Sequence, residues 1–402
     1  MQIKLLTRSL SVEVSNFVSN FFTYFTDCSK QAFSQARLKM KHTVFIELKE
    51  ACNEEFYSDG DYKRWKDYIL LSNDGTTMQL PNQPELTAYF GQSPTVASPM
   101  TMCRSTMLYD VENKLVWNAL IEPYTTDEQE MAIKHLDYLD AHHADKKQRI
   151  ILLYDMGFRS FEHIRQHQLR QQAYVMRVNE TFCLEVRQFA NSHSNDQVIE
   201  IDLTKHRRDG GLRLEGQISI LKVRAVKIAL DNGQTEYLLT SLFDKAVFDL
   251  ASLKELYHKR WGHETALLFQ KRYVEIENFS AIKVEGVLQQ YHAAILASNI
   301  RAVIAGEVQQ EIEDEEEEKR KNQTQGTMED IPHYEVNQAV ALGLIINVLP
   351  RFLLANTKEV IQIYAQLKKK IKRRTIKVGP NRTFPRKAKN HHRFTINLRP
   401  VI

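Results

Sequence analysis

Apolar and polar positions divide the chain into a helical opening, a mixed middle and a helical close. Up to about residue 65, SVEVSNFVSNFFTYF and SKQAFSQARLKMKHTVFIELKEAC each carry an apolar helical face. Ser29 is placed to N-cap the second, and TDCS between them reads as a turn. From there strands and helices alternate. DYILLSND is an apolar run ending in an acid, and STMLYDV and LVWNALIEPY are two strands joined by the turn ENK. TTDEQEMAIKHLDYLDAHH is a helix for which Thr126 and Gln129 suggest a capping box. RIILLYDMGF is an unbroken apolar run, as a strand buried on both faces requires. SFEHIRQHQ is a short helix and QAYVMRVN another strand. This order predicts a mixed α/β sheet.

Residues 179 to 240 break the alternation. VIEIDL, ISILKVRAVKIAL and TEYLLTSLF read as three strands without helices, linked by RRDGG and DNGQ, and suggest a β insertion in the α/β core. A long helical tract follows from about Leu250 to Ala305. The run Glu311 to Glu318 holds seven acids in eight residues and reads as a solvated helix end or linker, and a final helical region spans about 334 to 371. The predicted organisation is therefore 1–65 helical, 66–178 first part of the core, 179–240 insertion, 241–310 core helices, 311–330 acidic linker, and 331–402 helical region with a basic tail.

Size and charge narrow the picture. At 402 residues the chain exceeds one ordinary core, and 43% hydrophobic with 26% charged is a globular composition. The apolar stretch AVALGLIINVLPRFLLA, interrupted by Pro350 and Arg351, is too short to span a bilayer and reads as a buried helix. Cys28, Cys52, Cys103 and Cys183 are far apart, show no zinc spacing, and suit a reducing cytoplasmic setting. Net charge is +4, but residues 360 to 402 hold 13 Lys or Arg and no acid, leaving 4 − 13 = −9 on the rest. A basic tail on an acidic body points to nucleic acid, or to a merely solvated tail. Lys30, Arg37, Lys39 and Lys41 near the start fit either a DNA-docking helix pair or a supporting hairpin.

The chemistry concentrates in YHKRWGHETALLFQK. At about 100° per residue, Tyr257, Arg260, Glu264 and Lys271 fall within an arc of about 60° on one helix. An Arg260–Glu264 ion pair explains two of them and is worth only a few tenths of a kcal/mol. All four are explained if Arg260, Lys271 and the Tyr257 hydroxyl contact phosphate while Glu264 holds a metal ion between itself and that phosphate. A metal needs further carboxylates. Asp74 and Asp155 each end a hydrophobic strand, with Gly75 and Gly157 close behind, although a strand-end acid that starts a turn is common. Asp110, beside Glu112 and Asn113, suits a hairpin turn better. Three oxygen donors favour Mg²⁺ or Mn²⁺, and two such ions about 3.5–4 Å apart would serve in-line attack on a phosphodiester. Trp261 lies about 100° from Arg260 and reads as a buried aromatic.

With these residues in view, the chain resembles the DDE transposases of bacterial insertion sequences, in the group with the Y-x₂-R-x₃-E-x₆-K signature. Tyr257, Arg260, Glu264 and Lys271 match that spacing, and SNDGTTMQLP, LYDMGF, SKQAFSQARLKM and EYLLTSL before LYHKRW resemble other family segments. The resemblance covers most of residues 25 to 300. It departs at His263, where an apolar residue is usual, and at Met156, where Arg is frequent. It implies a ribonuclease H-like core with a β insertion and a metal-binding triad of Asp74, Asp155 and Glu264. It implies DNA-phosphate contacts by Tyr257, Arg260 and Lys271, a synaptic dimer on double-stranded DNA with terminal inverted repeats, and cut-and-paste transposition with Mg²⁺ or Mn²⁺ near the bacterial nucleoid. A catalytically silent DNA-binding protein and a nuclease without strand transfer are the competing readings.

Overall fold

The structure, a computed structural model, describes residues 10–21, 28–94, 99–205, 218–230, 233–322 and 332–379. In chain order the helices are α1 (Leu10–Phe21), α2 (Lys30–Leu38), α3 (Thr43–Ser58), α4 (Pro84–Phe90), α5 (Glu128–His142), α6 (Phe161–Arg170), α7 (Leu184–Asn191), α8 (Leu250–Lys259), α9 (Trp261–Phe269), α10 (Val284–Lys321), α11 (Gln338–Leu354) and α12 (Thr357–Lys372). The strands are β1 (Ile69–Gln79), β2 (Met102–Asp110), β3 (Leu115–Pro123), β4 (Ile150–Tyr154), β5 (Ala173–Val178), β6 (Asp196–Asp202), β7 (Ile220–Ala229), β8 (Thr235–Thr240), β9 (His333–Val336) and β10 (Thr375–Val378). They form two compact units, one within 61–78 and 90–268, the other within 1–60, 79–89 and 269–402.

The sheet unit holds eight strands in the order β3-β2-β1-β4-β5-β8-β7-β6. β1, β4 and β5 run parallel at its centre; β5, β8, β7 and β6 are antiparallel neighbours, as are β2 and β3. All five residues of β4 are buried, which is why its sequence is an apolar run rather than an alternation. One face of the sheet packs Leu70, Ile151, Leu153 and Val175 against Leu253, Leu256 and Tyr257 of α8. Each such buried aliphatic residue contributes about 1.5–3 kcal/mol.

Several expectations change in detail. The strands of residues 179–240 join the same sheet through the β5–β8 pairing, and α7 stands among them, held by buried Val186 and Phe189. β1 does not end at Asp74 but continues to Gln79, carried by the β-branched pair Thr76 and Thr77. The N-cap of α5 is Asp127, whose carboxylate accepts the Gln129 N–H; the Thr126 N–H is taken by the Pro123 carbonyl in the preceding turn. Ser29 does cap α2, accepting the Ala32 N–H. Asp110 ends β2 and accepts the N–H groups of Glu112 and Asn113, a hairpin turn.

The helical unit is built on α10. α3 packs on it through Phe45, Ala293 and Leu296, and Asn53 accepts from Asn299 at 2.8 Å. Arg37 donates to the Gln289 side chain at 2.8 Å and the Gly286 carbonyl at 2.9 Å, so it ties α2 to α10. Gly286 is required there, since a Cβ would lie 2.8 Å from the Ala281 Cβ. Further along, Ile304, Val308 and Ile312 pack with Ala341 and Ile345 of α11 and Leu367 and Ile371 of α12. The acidic run is thus the last part of α10, not a linker, and β9 pairs with β10 beyond it. The tail after residue 379 lies outside the described residues, as do the RRDGG turn and the first half of TDCS. Among the described residues no helix is long and apolar enough to cross a membrane.

Candidate active site

Register brings the first two acids together. β1 and β4 pair in parallel from Ile69↔Ile150 to Asn73↔Tyr154, so Asp74 and Asp155 occupy the next step on adjacent strands. Strands in one sheet lie about 4.8 Å apart. Side chains alternate, so Leu70, Ser72 and Asp74 share one face, as do Ile151, Leu153 and Asp155. Leu70, Ile151 and Leu153 contact α8, which fixes the direction of both acids: toward the α8 side. Asp155 keeps an extended backbone (φ −79°, ψ 172°) before the 3₁₀ turn Met156–Phe158.

The third acid arrives on the helices above that face. Tyr257 is buried in α8 and its hydroxyl donates to the Tyr154 carbonyl, one residue before Asp155, at 3.4 Å. Arg260, only 3% exposed, donates through Nη2 to Glu264 at 3.0 Å. Its guanidinium lies 5.6 Å from the Tyr257 ring and 5.4 Å from the Trp261 ring. Trp261 is 40% exposed, so it is not the buried aromatic expected; its place in the first turn of α9, against Arg260, keeps it at the surface. His263 takes the inward position instead, 1% exposed and 5.2 Å from the Tyr109 ring, and burial lowers its pKa to about 3.

The single helical stripe does not survive intact. The chain tightens at Arg260, where the Arg260 N–H bonds the Tyr257 carbonyl and the His263 N–H bonds the Arg260 carbonyl, both three residues back. After Phe269 a π turn runs from Gln270 to Val274 and ends at left-handed Glu275 (φ 54°). Regular 100° steps therefore do not reach Lys271. Lys271 falls in the helical unit, where it pairs with Glu277 at 2.8 Å. Asp74, Asp155, Glu264, Tyr257 and Arg260 share one electrostatic neighbourhood in the sheet unit.

Two participants escaped the sequence reading. Arg177 of β5 lies two steps beyond Val175 on the same face, 4.0 Å from Asp155 Oδ1 and 3.3 Å from Glu236 of β8. A lone cation inside the apolar strand AYVMRV was the available signal. On the opposite face a buried network supports the strand end. His167 Nδ1 meets the Gln172 carbonyl at 3.1 Å, which puts its proton there, so Nε2 accepts from the Tyr154 hydroxyl at 3.1 Å. His163 Nδ1 likewise donates to the Phe158 carbonyl at 3.0 Å and holds the turn after Asp155.

A family model described as Transposase DDE domain matches residues 65–300, more than half of the chain. The chain belongs to the DDE transposase family. No curated protein matches it. Among solved structures, the transposase is similar to a piggyBac transposase, described as the cryo-EM structure of its synaptic complex with hairpin DNA, at 11% identity and a TM-score of 0.39. That match covers 74% of this chain and 57% of the other, so the transposase spans little more than half the length of that protein. At such values the likeness bears on neither activity nor partners.

DDE transposases generally use divalent metal ions, and the acids of this transposase fit such an ion in chemistry. Asp155 Oδ1 is buried and accepts no hydrogen bond among the described residues, although the side chain as a whole is 43% exposed. Burial, opposed by the Gly75 N–H and Arg260 and reinforced by Asp155 and Glu264, pushes the Asp74 pKa up to about 6. Negative charge here is under-compensated, and every donor is a carboxylate oxygen, the preference of a hard cation. Among the described residues no group of three or more His, Cys, Asp or Glu is already drawn in tightly enough to hold a metal. The acids of the transposase share a neighbourhood rather than a finished cage. Like charges without a bridging cation repel, and closer approach is what a cation makes favourable. Arg260 is held above its ordinary pKa: burial works against its charge, and Tyr257, Asp155 and Glu264 outweigh it.

Proposed function

We propose that this transposase is a metal-dependent polynucleotidyl transferase that cleaves DNA at the ends of a mobile element and joins the freed 3′-hydroxyl ends to target DNA by cut-and-paste movement. The proposal includes the insertion-sequence group with the Y-x₂-R-x₃-E-x₆-K signature, a bacterial nucleoid setting, and a synaptic dimer on terminal inverted repeats. The observation that supports it best is the electrostatic neighbourhood that Asp74, Asp155 and Glu264 share with one buried guanidinium, Arg260. A ribonuclease H-like core is part of the reading. Parallel β1, β4 and β5 with the β2–β3 hairpin would form it, and β6 to β8, added antiparallel to β5, would be the insertion.

In this reading Asp74, Asp155 and Glu264 hold Mg²⁺ or Mn²⁺, two ions in all. When bound, such ions supply Lewis-acid polarisation of a phosphodiester and neutralise its developing charge. Arg260 orients Glu264 through Nη2, and its buried Nε, which has no acceptor among the described residues, is left to donate to a phosphate oxygen. Tyr257 spends its hydroxyl proton on the Tyr154 carbonyl, so it fixes the backbone before Asp155 rather than donating to phosphate, while Lys271 is read as a phosphate contact. Arg177 keeps a second cation at Asp155.

The test uses the element's own ends, identified from short inverted repeats flanking the gene. Glu264→Gln is expected to abolish Mg²⁺-dependent cleavage while end binding stays within a few-fold of wild type. Cleavage by the variant at the wild-type rate would refute the assignment. Cleavage by wild type with no joined product would favour a nuclease without strand transfer.

A further inference from the structure

We propose that α12 and the residues just after it form a second duplex-DNA contact surface, keyed in place by the acidic run of α10. It rests on the reading that this chain handles DNA and adds a surface outside the acids of the site. Three rungs join the two helices at one spacing: Tyr364 to Glu307 at 2.7 Å, Lys368 to Glu311 at 2.8 Å and Lys372 to Glu315 at 2.6 Å, each 57 residues apart. A constant offset means that the helices run parallel in register. Lys368 also lies 3.5 Å from Glu307, and Lys372 3.6 Å from Glu311, so each lysine bridges two acids.

The ladder divides α12 into three sides. With Lys368 at 0°, the rungs fall within about 40° either way, buried Leu367 and Ile371 lie near 260° and 300°, and Lys369, Arg373 and Lys370 span about 100–200°. Lys369, Lys370, Arg373, Arg374 and Lys377 are all exposed, and among the described residues none has a carboxylate partner. Of the cations on α12 the acids have taken the two lysines of the ladder, while Glu316 and Glu317 pair with Arg320 and Lys321 of α10 itself. One or two cations complement a helix C-terminus; five within nine residues exceed that need. The sequence continues with Arg382, Arg386, Lys387, Lys389, Arg393 and Arg399 and no acid. The apolar side of α12 is committed to the core through Leu367 and Ile371, so that face is not available to insert into a lipid surface. A rigid, one-sided row of cations matches a regular array of phosphates, which a duplex provides.

The experiment uses the full chain with Lys369, Lys370, Arg373 and Arg374 all changed to Gln. Binding to a duplex without inverted repeats is measured across a salt series, beside binding to phosphatidylserine vesicles. All four positions are exposed, and unchanged circular dichroism and melting temperature check the fold. The slope of log K against log salt is expected to fall by up to about 3.6, near 0.9 for each of the four phosphates no longer neutralised. The variant Glu311→Gln with Glu315→Gln, which frees Lys372 and leaves Lys368 to Glu307 alone, is expected to steepen it. An unchanged slope in the quadruple variant with duplex binding intact overturns the surface and leaves the proposed function standing. Loss of vesicle binding alone also overturns it, in favour of a membrane. Absence of any duplex binding by wild type would instead refute the underlying reading.

Discussion

Asp74→Asn should stabilise this protein at neutral pH while removing a group its proposed chemistry needs. The folded carboxyl keeps its proton to about pH 6, against 3.8 for an ordinary aspartate. Its contribution to stability is therefore intact below about pH 4, declines as pH rises through 6, and is a standing cost above that. A shift of about two units corresponds to a ceiling of about 3 kcal/mol. Asparagine presents the same acceptor to the Gly75 N–H, which bonds Asp74 Oδ1 at 2.8 Å, without the charge. For a unit of this size about 1 kcal/mol moves the melting temperature by roughly 2–4 °C. Melting curves of both proteins from pH 4 to 8 should coincide at pH 4 and separate by several degrees in favour of Asn at pH 8. Mg²⁺ or Mn²⁺ should raise the melting temperature of wild type at pH 8 and not that of the variant. A variant equal to or less stable than wild type at pH 8 would show that Asp74 is not held in an under-compensated field.

Other perturbations follow from the same geometry. Arg177→Gln removes the cation 4.0 Å from Asp155, and a partly exposed ion pair of about 0.2–1 kcal/mol implies a loss of no more than about 5-fold in cleavage rate with end binding retained. His167→Phe leaves the buried Tyr154 hydroxyl unpaired at a cost of about 1–3 kcal/mol; adding Tyr154→Phe should recover part of it in a double-mutant cycle read by denaturation. Gly286→Ala drives a methyl to 2.8 Å from Ala281 and should destabilise the helical unit by about 1–3 kcal/mol, seen as a lower melting temperature. Leu153→Ala, at a fully buried position of β4, should cost about 2–5 kcal/mol, read from denaturant unfolding.

The parts legible in the sequence were those fixed by local pattern. β4 announced itself because burial on both faces leaves no polar alternation, and Ser29 and Asp110 because caps and hairpin turns are chemistry between near neighbours. What pattern could not reveal was partnership. Nothing local to VIEIDL says that β6 closes the far edge of the same sheet, and α7 was hidden because only Val186 and Phe189 mark its short buried side. Arg260 breaks the helix because the residues around it bond three back instead of four, which no spacing rule anticipates, and so the angular position of Lys271 was drawn on a helix that does not continue that far. The acidic run looked solvated because its cationic partners lie 57 residues away. Arg177 and Glu236 were missed for the same reason: each is meaningful only beside a strand remote in the chain.

The pairing of Asn73 with Tyr154 has a consequence for how such an element dies. Removing one codon between Ile69 and Asn73 would leave an apolar strand still able to lie beside β4, yet it would turn the next acid through the sheet, away from α8. The body of the protein would persist, antigenically and structurally much the same, with its proposed chemistry gone. Removing two codons would restore the facing and displace the acid by about 6.6 Å along the strand. Under the proposed function, a silent descendant can thus be one triplet away from an active parent, without any of the three acids being altered.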